Sequence, residues 1–142
     1  MSMTWQFWAF GAAIFAALTA IFGKVGVADI NPDFATLVRT AVILLFTMGL
    51  VGVTGQFQPI TEIPSKGLFF LTLSGLATGA SWLCYFRALD LGEASRVAPV
   101  DKLSVVLVAI FGVLFLGERL SLKAWIGIGM IFSGVLMVMS KD

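Results

Sequence analysis

Five apolar stretches, each close to bilayer length, occupy nearly all of this chain of 142 residues. They run over about Trp5–Val27, Phe34–Val53, Gly67–Ala88, Val97–Leu116 and Ala124–Met139. A hydrocarbon core roughly 30 Å thick takes about 20 apolar residues in a helix. In lipid every backbone N–H and C=O needs an internal partner, so a span is a helix or part of a closed barrel. Barrel strands would alternate in polarity over about ten residues. These runs are longer and continuously apolar, which predicts five transmembrane helices. The fold class is an all-α polytopic membrane protein, read as one domain over residues 1–142.

Only 12% of the residues are charged, and most of those fall between the runs. That is too few to clothe a water-soluble surface. A net charge of +1 and the lack of a basic arm argue against a nucleic-acid partner. Cys84 is the only cysteine and histidine is absent. An internal disulfide is therefore impossible, and the commonest transition-metal ligand and near-neutral proton shuttle are missing. No cofactor is implied. The stretch Met1–Thr4 carries no basic side chain and the run after it is long, so the first span reads as retained rather than as a cleaved signal.

Between the spans the sequence is turn chemistry. Asp29–Ile30–Asn31–Pro32–Asp33 is a tight connector, with Pro32 suited to a first helical turn. Thr54–Lys66 is the longest polar segment. The first span is expected to fray around Gly23–Gly26, with Lys24 reaching water. Arg87 and Asp90 are placed at the close of the third span, and Glu118 and Arg119 in a tight loop after the fourth. With an odd number of spans the termini lie on opposite faces. One face then holds Lys66, Arg119 and Lys123, and the other Lys24, Arg87, Arg96 and Lys141. Adding the borderline Arg39 and Lys102 makes three against six. Orientation follows Lys/Arg bias, and a bias this weak leaves room for insertion in both senses.

Ionisable residues inside a span are costly, which makes each a candidate site. Arg39 sits about a turn and a half into the second span. It is a candidate to hold a carboxylate or phosphate in its fork, against the plainer reading of a side chain snorkelling to the headgroups. Asp101 and Lys102 follow Pro99. The stretch Ser95–Pro99 is expected to unwind and expose carbonyls, as in broken transporter helices. Asp101 would then bind a cation or proton and Lys102 an anion. The plainer reading has Asp101 complementing a helix start while Lys102 snorkels. Trp82 and Tyr85 share a helix face and are candidates for a pocket wall with polar tips, against packing or an interfacial belt. Gly75 and Gly79, with Gly127 and Gly134, read as helix-packing positions. Gly127-x-Gly129 lacks the third glycine and the preceding strand of a dinucleotide site. No other catalytic motif is present, so the chain does not read as an enzyme.

The order Tyr85–Phe86–Arg87–Ala88–Leu89, Ala94–Ser95–Arg96–Val97–Ala98–Pro99, Leu103–Ser104, Leu114–Phe115–Leu116–Gly117–Glu118–Arg119–Leu120, Trp125–Ile126–Gly127 and Gly134 resembles the EamA-type unit of the drug/metabolite transporter superfamily. Arg39 fits the same pattern, and the length resembles the five-span bacterial and archaeal branch. The resemblance implies transport of small metabolites or drugs, commonly export, across a cell (inner) membrane. Full-length members carry two such units in inverted tandem, and this chain has one. Five helices can hardly enclose a solute path and also alternate its access, so the unfused unit is expected to rebuild the ten-helix arrangement as an antiparallel homodimer, with a parallel dimer or a partner of opposite charge bias as the runner-up. Related small multidrug-resistance proteins use a glutamate in helix 1 to bind cations and protons. Here that helix offers only Gln6, Thr19 and Lys24 as polar side chains, which argues against proton-coupled export of cationic drugs. Two further readings stand beside the transporter: a non-transporting scaffold or regulatory subunit, and a flippase for a lipid-linked molecule.

Overall fold

The computed structural model describes residues 4–140; Met1–Met3, Lys141, counted above among the charges of one face, and Asp142 lie outside them. The described residues form six α-helices and one short 3-10 turn. These are α1 (Trp5–Gly26), α2 (Pro32–Thr54), the turn Ile60–Glu62, α3 (Ser65–Leu91), α4 (Ala94–Asp101), α5 (Leu103–Phe115) and α6 (Leu122–Met139). Five helices are long and apolar enough to cross a membrane, with α4 and α5 counted as one span, Ala94–Phe115. The all-helical, five-span architecture is the one the apolar runs dictate.

The chain divides into two compact units. One comprises Ile21–Leu91 and the other Met1–Ala20 with Gly92–Asp142. In the first, α2 packs on α3. The Asn31 side chain caps α2 by accepting from the amides of Asp33 and Phe34 at 3.0 and 3.2 Å. Pro32 opens the helix, where its missing N–H costs nothing. Asp33 complements the positive end of the helix dipole. At the far end Gly55 takes φ 65°, and the amides of Gly55 and Gln56 bond Gly52 O and Val51 O. Only a residue without Cβ adopts that conformation cheaply. The hydroxyls of Thr36, Thr40, Thr47 and Thr54 each donate to the carbonyl one turn back, at 2.8–2.9 Å. A hydroxyl satisfied within its own helix needs no partner from lipid.

In the second unit α6 packs on α4 and α5. Ser121 caps α6 through its hydroxyl, which accepts from the Ala124 amide at 3.3 Å. The carbonyl of Gly112 receives both the Leu116 and Glu118 amides at 3.1 Å, and Gly117 at φ 68° ends α5.

The fourth span departs from expectation. Ser95–Pro99 does not unwind; it is helical, within α4. The Glu93 carbonyl accepts from both Arg96 and Val97 amides, which holds the first turn. Pro99 has no N–H to give the carbonyl of Ser95, and the disruption emerges after it rather than before. The Lys102 amide bonds Pro99 O at 3.0 Å, three residues back, and α5 starts at the next residue.

Candidate functional site

Arg39 lies seven residues into α2, roughly 10 Å along the axis from Pro32. Its side chain turns towards α3. The guanidinium carbon stands 4.1 Å from the centre of the Trp82 ring and 5.3 Å from that of Phe86. Trp82, Phe86 and Leu89 recur every three or four residues, so they form one stripe of α3. Phe86 is 3% exposed and Leu89 fully buried. Tyr85 sits on the same side, its ring in edge contact with Phe86 at 6.5 Å. A cation over an indole face is attracted by the ring quadrupole, the more so where water is scarce. The Nη1 nitrogen of Arg39 is buried and makes no hydrogen bond among the described residues. A charged donor in that state costs free energy unless something else meets it.

The neighbouring cations are differently placed. Arg87 forks onto Asp33: Nε donates to Oδ1 at 2.9 Å and Nη2 to Oδ2 at 2.7 Å. This pair joins the last turns of α3 to the first turn of α2. Lys24 does not simply reach water. It is half-buried, and its ammonium donates to the Leu89 carbonyl near the C-terminal end of α3, where the helix dipole is negative. Gly23 permits that approach. A Cβ there would lie 3.3 Å from Leu89 Cδ1 and 3.5 Å from Phe86 Cζ.

Of the sequence candidates, the structure brings Arg39 and Trp82 into contact and sets Tyr85 beside them. Asp101 and Lys102 belong to the other unit and pair with each other, Nζ to Oδ2 at 3.0 Å. They stand at the junction of α4 and α5, not at the start of the fourth span. A Cβ on Gly75, Gly79, Gly127 or Gly134 would meet open space. Sequence reasoning missed Gly23, Phe86 and the Asp33–Arg87 pair. The signal for the pair was available: in an antiparallel hairpin that faces residue 39 with 82, residue 33 faces about 87.

The profile of the EamA-like transporter family matches residues 3–140. The chain belongs to that family. A protein of Sinorhizobium sp., named as an uncharacterized transporter in the cobO 3' region, is 64% identical over 138 residues, 97% of this chain and 98% of its own length. The uncharacterized transporter YxxF of Bacillus subtilis is 23% identical over 135 residues, which are 94% of this chain and 42% of that protein. A probable 4-amino-4-deoxy-L-arabinose-phosphoundecaprenol flippase subunit, ArnE of Yersinia pestis, is 28% identical over 81 residues, 57% of this chain and 71% of its own. No solved structure matches. EamA membership and five apolar helices make this a multi-pass membrane transporter, and the family is one of transporters rather than enzymes.

Proposed function

We propose that the chain is a small secondary transporter of the inner membrane, exporting small metabolites or drugs by alternating access as a homodimer. The observation that carries this is the number of spans in the chain, five. Five such helices have too little interior to enclose a solute path and also open it alternately. A second copy supplies the missing wall. The 42% coverage of YxxF is in keeping with a longer relative that has room for a second unit. An odd-span unit inverts when its gene is duplicated and fused, so the unfused unit reproduces the inverted pair as an antiparallel dimer.

In this reading the two copies act as a single transmembrane domain each. Arg39, Trp82 and Tyr85 are the solute-contacting side chains of the unit Ile21–Leu91, and Asp101 and Lys102, where α4 meets α5, those of the other unit. The bare faces at Gly75, Gly79, Gly127 and Gly134 let the partner's helices approach and slide. Uptake of radiolabelled small solutes into proteoliposomes tests the proposal. Saturable uptake of at least one solute supports it. A folded sample that moves nothing across a broad panel of solutes and lipids refutes it. The likeness to a flippase subunit favours one second reading, movement of a lipid-linked molecule through a lateral opening. A fluorescent lipid scrambled between leaflets, with no solute uptake, would select it.

A further inference from the structure

Three basic side chains gather where α2 begins and α3 ends, and their partners differ. Arg87 has both oxygens of Asp33. Lys24 has the Leu89 carbonyl. Arg39 has the Trp82 and Phe86 rings near its guanidinium and a buried Nη1 that makes no hydrogen bond among the described residues. In the other unit Lys102 and Asp101 answer each other. Among these groups, Arg39 is the cation with a buried nitrogen that no acceptor among the described residues meets.

The geometry narrows what would answer it. A guanidinium binds through its edge, in its plane, and its faces make stacking contacts. Trp82 stands 4.1 Å from the central carbon, and the N–H groups are what a ligand would engage. A carboxylate or phosphate matches that edge with two parallel acceptors. The half-buried Trp82 ring beside it gives an apolar body a surface to lie on. An organic cation would meet the positive charge of Arg39 there and be repelled by it. From the reading of Arg39 as part of the solute path, on which this rests, we infer that the transported molecule carries an oxyanion, a carboxylate or phosphate, that docks on the edge of Arg39 with an apolar portion against Trp82. The same chemistry is offered by a free solute and by a lipid phosphate.

The test uses the purified full chain in nanodiscs, read by melting temperature, because a ligand of the folded state raises it by mass action. Benzoate and inorganic phosphate are the anionic probes and benzamidinium the cationic one. In phosphatidylcholine, benzoate or phosphate is expected to raise the melting temperature of the native protein. Arg39→Gln is expected to weaken that binding about tenfold or more, the loss of a charge-assisted fork. Arg39→Lys keeps the charge and retains part of the response, which guards against a variant that merely misfolds. Lys66→Gln, a basic residue elsewhere, leaves the response intact. A shift that arises only when phosphatidylglycerol replaces phosphatidylcholine, and is lost in Arg39→Gln, assigns the oxyanion to a lipid headgroup. A shift with benzamidinium and none with either anion or lipid overturns the inference, as does an anion response equal in native protein and Arg39→Gln. The transport reading fails separately: anion binding at Arg39 without any flux would leave this inference standing and remove that one, while uptake of cations alone would do the reverse.

Discussion

Single residues decide how α2 meets α3 and the end of α1. Gly23 is one. A Cβ there would be tight against Leu89 Cδ1 at 3.3 Å and in ordinary contact with Phe86 Cζ at 3.5 Å. Gly23→Leu is therefore expected to destabilise the folded protein by about 1–3 kcal/mol through overpacking, measured as a fall in melting temperature in detergent. Gly26→Leu, three residues on and facing open space, should fall much less. The Asp33–Arg87 pair makes a second prediction. Its side chains are 46% and 63% exposed, so solvent screens it and its contribution is small. A double-mutant cycle of Asp33→Asn and Arg87→Gln should show a weak coupling that shrinks as salt is raised. A large, salt-independent coupling would mean that the pair is shielded from water. Arg39 was legible in sequence as a charge inside a span, and Trp82 as a ring at helical spacing. Their contact was not, because it depends on the register between helices about forty residues apart. Gly23 was read as a place where a helix frays, since a glycine near a helix end looks the same whether it loosens the end or admits a neighbour.

At the level of elements, apolar run length located all five spans because lipid imposes one requirement on all of them: a continuous helix with its backbone satisfied. Helix termini followed from ordinary chemistry, with Asn31 and Ser121 as caps and Gly55 and Gly117 as left-handed stops. The break in the fourth span was anticipated on the wrong side of Pro99. A proline marks that a helix is disturbed, but which turn gives way depends on how firmly each side is held. Here Glu93 anchors the residues before it. Pro99→Ala is expected to join α4 to α5 across Lys102, by restoring an N–H for the Ser95 carbonyl and removing the ring. Hydrogen exchange at the Lys102 and Leu103 amides should slow. Unchanged exchange there would mean that the junction is set by Asp101 and Lys102 rather than by the proline.

At the level of the whole molecule, the apolar surface needs lipid and, in the proposed account, a second copy. The weak Lys/Arg asymmetry allows that copy to insert upside down. A C-terminal tag should then be reachable from both faces of the cell membrane, in comparable amounts. Labelling from one face alone would exclude the antiparallel pair and leave the parallel one. No sequence pattern distinguishes these, because the charges that set orientation are few and several lie at borderline depth. The claim that two chains make one transporter is tested most directly by counting. Chains carrying a fluorescent C-terminal tag are reconstituted at low density, and uptake of a transported solute is scored liposome by liposome against photobleaching steps. Liposomes with one chain should be inactive and those with two should be the smallest active class. Saturable uptake into liposomes holding a single chain would contradict the account.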